Sequence, residues 1–190
     1  PIPEPAPAPV VEAPLPPVVT PPTPTPTPAP LPLPLPMPMP QNFDRTKTGI
    51  GIAWPASVDL DLHFRLRPGA KELYYHQDRT AEGFLYKDET KANAGRYFEF
   101  IELNGTGPVD LSKASVWVHY YGGKAENVTG QVVLFDRGEV RVGTFSLRAT
   151  KGNGSDSTAQ RTASPHWFEI RLADLVAATA PLAAAKPAQK

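Results

Sequence analysis

Residues Val58 to Leu66 read V-D-L-D-L-H-F-R-L. Leu60, Leu62, Phe64 and Leu66 fall on one side of an extended chain, and Asp59, Asp61, His63 and Arg65 on the other. Alternation of period 2 marks a strand with one buried face. The stretch therefore predicts a β-strand whose apolar side packs on a core. Its polar side is expected to face water, with the Asp59 and Asp61 carboxylates at its mouth.

Similar stretches recur. Gly49 to Trp54 reads as a first strand stopped by Pro55. Glu72 to His76, Gly83 to Lys87, Tyr97 to Leu103, Ser115 to Tyr121, Gln131 to Phe135, Glu139 to Leu147 and Trp167 to Leu172 read as further strands. Turn residues stand between them, as in Arg67-Pro68-Gly69, Asn104-Gly105 and Asp136-Arg137-Gly138. Eight to nine short strands at this spacing predict an all-β chain, an antiparallel β-sandwich. Ala173 to Ala185 is alanine-rich but split by Pro181, so a short helix at most is expected there.

Composition divides the chain. Nineteen of its 25 prolines lie in Pro1 to Pro40. Proline at nearly every second position removes backbone donors, fixes φ and pushes each preceding residue towards extended geometry. Residues 1–42 are thus expected to be a disordered or polyproline-II tether, reaching about 120 Å at about 3.1 Å per residue. It reads as a spacer, or as a ligand docking on a partner, with Leu31 to Pro40 its most apolar part. Residues 43–176 are the expected sandwich and 177–190 a flexible tail. About 150 residues suffice for one core without staples. The first residue is proline, so the chain is expected to be a processed product or a fragment.

Charge and residue types narrow the chemistry. Lysine plus arginine and aspartate plus glutamate each number 19, giving a formal net charge of +0. No basic excess favours nucleic acid. With no cysteine, disulfides and thiolate metal sites are excluded. No apolar run reaches the roughly 20 residues that span a bilayer, so no membrane insertion is expected. His63, His76, His119 and His166 sit in or beside different strands without H-x-H or i, i+4 spacing, and no zinc site is predicted from them. There is no G-x-S-x-G elbow. The Glu99–Glu102 and Asp59–Asp61 pairs could mimic a glycosidase dyad, but carboxylates of this kind more often decorate a solvent face, and no enzyme is expected.

Trp54, the D-L-D-L-H-F of Asp59 to Phe64, Pro68-Gly69, the L-Y-Y-H of Leu73 to His76 and the G-F-L-Y-K-D of Gly83 to Asp88 form a pattern. It resembles that of YfaP-like bacterial domains. The chain also resembles the calcium-binding tellurium-resistance (TerD-like) domains, in which D-L-D opens a strand. V-V-L-F-D-R-G-E-V-R-V-G-T-F-S-L and W-F-E-I-R-L look like the closing strands of that second family. The resemblance implies the same sandwich. It also implies a calcium site with first-loop ligands at Asp59 and Asp61 and later ligands near Asp88 and Asn93. Calcium wants six to eight oxygens, of which these residues and backbone carbonyls would supply several. The alternative is that the aspartates pair with Arg65, Lys87 or Arg96 at the surface.

Trp117, His119 and Tyr121 share one face of their strand, opposite Val116, Val118 and Tyr120. If the valine side is the core, the aromatic row is either exposed to a sugar or protein partner or covered by the tail or neighbouring strands. The functional expectation is a non-catalytic scaffold module of a bacterial envelope assembly. Its partners would be other proteins, or copies of itself, in the periplasm or alternatively the cytoplasm. Two other readings are a calcium-dependent stress-response domain and a carbohydrate-binding module.

Overall fold

Among the described residues, most stretches in which apolar and polar residues alternate form strands. The computed structural model describes residues 40–90 and 97–178; Asn93, Arg96 and the proline-rich stretch as far as Met39 lie outside the described residues. The strands are β1 Thr48–Trp54, β2 Asp59–Arg65, β3 Gly83–Leu85, β4 Tyr97–Leu103, β5 Ser115–Gly122, β6 Val128–Asp136, β7 Glu139–Leu147, β8 Trp167–Ile170 and β9 Val176–Ala177. They make two antiparallel sheets, one ordered β3-β4-β1-β6-β7-β9 and the other β2-β5-β8. The protein is all-β, as its alternation predicts.

The core lies between the sheets. Leu60, Leu62 and Phe64 of β2 and Val116, Val118 and Tyr120 of β5 join one buried cluster with Ile50, Ile52 and Trp54 of β1 and Val132 and Leu134 of β6. The even-numbered side of β2 is therefore the core side. Strand β2 is also a sheet edge, and several of its outward backbone groups are satisfied. Phe64 and Leu73 exchange two backbone hydrogen bonds, and the Leu62 amide donates to Glu99 Oε2 at 2.7 Å. A carboxylate reaching from the opposite sheet thus blunts an edge that would otherwise invite pairing with another chain.

Two segments depart from expectation. Glu72 to His76 makes isolated bridges, Phe64 with Leu73 and Tyr74 with Gln77, instead of a strand. Leu73 enters the core while Glu72 and Tyr74 stay outside it, so the segment crosses the edge of β2 and folds over its outer face. The expected short helix from Ala173 is replaced by a 3₁₀ turn at Leu172–Asp174 and by β9, which pairs with Arg141 and Val142 of β7. Leu175 fills the space above Gly143, a site that a helix would not place it in.

Gly130 of β6 marks the tightest place in the core. A Cβ there would meet the Phe145 ring at 2.2 Å and the Ala53 carbonyl oxygen at 2.6 Å. The ring covers the missing side chain, and the backbone behind it cannot retreat. Gly130→Ala should lower unfolding free energy by about 1–3 kcal/mol through overpacking, read from urea denaturation.

The larger sheet carries a second apolar layer on its outer side. Phe43, Phe100, Val133 and Phe135 are buried there. Phe43 stands edge-on to Phe100 at 4.6 Å and to Phe135 at 5.2 Å. The chain thus enters the domain by packing across the back of β1, where Gly49 leaves room for the rings.

Candidate metal centre

The odd-numbered side of β2, expected to be wet, is buried. Register sets Asp61 opposite His119, His63 opposite Trp117, and His119 opposite Trp167. Asp61, His63 and His119 are 2%, 3% and 3% exposed. The reason is two loops that alternation cannot reveal. Residues 71–77 fold over from the β2 edge, and residues 152–166 fold over β5. Gly152 lies so close to Gly122 that a Cβ would come within 2.4 Å of its backbone nitrogen.

The first loop and strand β8 lock the rings. Tyr74 stacks on His63 at 4.9 Å, and Trp167 stacks on His119 at 4.1 Å with planes 10° apart. Arg161 lies 4.9 Å from the Trp167 ring and 5.4 Å from that of Trp117. Glu72 ties the layer together. Its carboxylate meets His63 Nδ1 at 2.7 Å and accepts two hydrogen bonds from Arg161, at 2.8 and 3.1 Å, and a further one from Arg65. Burial alone would raise its pKa, but the bonds from His63 and Arg161 outweigh that and hold it at about 2. Burial lowers the pKa of His63 against the opposing pull of Glu72.

On the far side of both imidazoles the polar groups are left over. His119 Nε2 lies 3.2 Å from the Asn153 carbonyl oxygen, and its Nδ1 lies 3.4 Å from Asp61 Oδ2. His63 Nε2, Asp61 Oδ2 and Asp59 Oδ1 are buried without a hydrogen-bond partner. Buried polar atoms are normally paired, and each orphan asks for a reason.

Asp59, Asp61 and Asp88 form a neighbouring group whose ligand oxygens lie within 4.8 Å of one another. Asp61 is buried, Asp59 half-buried and Asp88 exposed. Burial first, then the charges of Asp61 and Asp88, push the Asp59 carboxyl up to about 6. Burial and the Asp61 charge also raise Asp88 and, far more, the buried Glu99. The surface pairing considered from sequence is not formed by the described candidates: Arg65 pairs with Glu72, and Lys87 with Glu89. Carboxylates gathered this closely repel one another unless a proton or cation lies between them.

Other sequence candidates divide. Trp117 and His119 are covered, by Arg161 of the 152–166 loop and by Trp167 of the neighbouring strand β8, and only Tyr121 of that row is exposed, at 37%. Glu99 and Glu102 stand on opposite faces of β4. Glu99 points inward to Leu62, whereas Glu102 faces outward to Lys47 and Tyr86, so they form no dyad. Asp156, Ser164 and His166 come together, yet Ser164 Oγ and Asp156 Oδ2 both approach the same His166 nitrogen, Nδ1. A nucleophile relay needs the two on opposite nitrogens. An open cleft of about 550 Å³ lined by Ser146, Arg148, Ser164 and Phe168 lies apart from the carboxylates.

The gathering of Asp61, His63 and His119 was not foreseen from the histidine spacing. The signal was D-x-H at Asp61 and His63, two residues on one strand face; the third member comes only through register with β5. Comparison with known proteins gives no match, whether to protein-family models, curated proteins or solved structures.

Proposed function

We propose that the chain is a non-catalytic β-sandwich module that binds a divalent cation of the calcium class at Asp59, Asp61 and Asp88. It serves as an interaction unit on a proline-rich tether in a bacterial envelope assembly. The observation that carries the cation reading is the closeness of three carboxylates with buried, unpartnered oxygens on Asp59 and Asp61. The donors are all hard oxygens, which suits calcium. The resemblance of the D-L-D strand to TerD-like domains points the same way. The tether and assembly reading rests on the proline repeats of Pro1 to Pro40. A sugar site on Trp117, His119 and Tyr121 has less to offer, because two of the three rings are covered.

Thermal melting with and without millimolar calcium tests the cation. Binding to the folded state alone raises stability by about 2.7 kcal/mol at a hundredfold excess over Kd. Asp61→Asn should abolish the calcium shift while leaving the calcium-free protein as stable as before or more so, because a repulsion is removed. An unchanged midpoint in calcium would overturn the cation reading. The folded Asp59 carboxyl has its pKa raised from 3.8 to about 6, so the folded state holds that proton more tightly than the unfolded chain. The Asp59 contribution to the stability of the calcium-free protein should therefore fall as pH rises from 3.8 to about 6, unopposed by Glu72 once pH exceeds 4.5, and the calcium-induced shift should grow over the same interval.

A further inference from the structure

We propose that Asp61, His63 and His119 form a second, buried site for a divalent transition-metal cation of the zinc class, distinct from the all-oxygen group beside it. One ligand atom from each of the three residues lies within 4.8 Å of the others. With ring protons assigned from their acceptors, His63 donates from Nδ1 to Glu72 and His119 from Nε2 to the Asn153 carbonyl. The remaining lone pairs are those of His63 Nε2 and of His119 Nδ1, the latter 3.4 Å from Asp61 Oδ2. That gathers three acceptors in one buried place.

A buried histidine that merely completes a core has both nitrogens satisfied. His63 does not: its Nε2 is orphaned, as is Asp61 Oδ2, and both residues are more than nine-tenths buried. The outer partners are those of a metal-bound imidazole, one carboxylate and one backbone carbonyl, which fix tautomer and ring orientation and raise ligand basicity. Trp167 and Tyr74 hold the ring planes, so the ligands are already aimed. The scale also fits. Bonds of about 2.0–2.1 Å in a tetrahedron place ligand atoms about 3.3 Å apart, and His119 Nδ1 lies 3.4 Å from Asp61 Oδ2. Two imidazoles and one carboxylate favour zinc, cobalt, nickel or iron over calcium, which prefers oxygen. Because Asp61 belongs to both groups, its carboxylate would link the two ions.

Titration of the metal-free protein with zinc alone, followed by calorimetry, tests the site. Cobalt serves as a second probe through its visible absorption. The expected result is one equivalent of zinc and a cobalt spectrum of a four-coordinate nitrogen–oxygen site. Both should be lost in His63→Gln and in His119→Gln, with the calcium-induced melting shift retained in each. Should either variant fail to fold, nitrogen-15 spectra of the wild-type imidazoles give the answer. Zinc should shift His63 Nε2 and His119 Nδ1 and leave His76 and His166 unmoved. No stoichiometric zinc in the wild type, binding that survives both variants, or shifts confined to His76 and His166 would each overturn the proposal. Loss of the calcium response with zinc binding intact would count only against the all-oxygen site.

Discussion

Glu72→Ala should lower the unfolding free energy by about 3–5 kcal/mol, because it removes one side of a buried charge network and leaves the other. Glu72 neutralises Arg161, whose side chain is only 11% exposed, and accepts from His63, which is more deeply buried still. Arg161 in turn lies against Trp167 and Trp117. Loss of the carboxylate therefore leaves a guanidinium charge over a closed aromatic layer, and the loop of residues 152–166 has to open to hydrate it. Urea denaturation measures the effect. Glu72→Gln, which keeps the shape and some hydrogen bonds, should cost less. A Glu72→Ala change below about 1 kcal/mol would mean that the network is hydrated and worth no more than a surface pair.

Phe100→Ala should cost about as much, 3–5 kcal/mol, for a different reason. Phe100 is fully buried although its strand residue points away from the core between the sheets. It meets Phe43 at 4.6 Å, Tyr86 at 5.8 Å and Phe135 at 6.0 Å, so truncation leaves a cavity with ring walls on three sides. Phe43→Ala should cost less, as Phe43 is 8% exposed and closes the layer from outside. Equal and small losses for the two variants, again by urea denaturation, would show that the outer face is a solvated surface rather than a second packed layer.

Local alternation made most strands legible. Leu60, Leu62 and Phe64 face the core as their spacing requires, because a strand turns successive side chains to opposite sides wherever it lies. The same rule put Asp59, Asp61 and His63 together on the other face, and it kept Glu99 and Glu102 apart. It failed at Glu72 to His76, where a strand-like composition crosses an edge and makes two bridges, and at β9, which exists because β7 offers it an edge. Neither outcome is written in the segment itself.

Burial of the polar face of β2 is not written in the strand itself. A strand pattern says which side chains share a face but not what lies above them. Asp61 and His63 read as wet because they lie on the polar side of an alternating strand; they are dry because residues 71–77 and 152–166 come from either side to cover them. The shared face of Asp59 and Asp61 was legible in their spacing, whereas Asp88 entered only through the resemblance and its closeness to them comes from the fold. The pairing of His63 with His119 was not, since it depends on the register of β2 against β5 across more than fifty residues of chain.

The sequence by itself determined the two-faced strands, the all-β class and the placing of two aspartates and a histidine in a row, since each follows from side-chain period within a few residues. Only the tertiary structure decided which faces are sealed, which carboxylates meet and which nitrogens lack a partner. Those depend on sheet register and on loops returning from distant parts of the chain, which bury polar groups that the strand pattern alone leaves exposed.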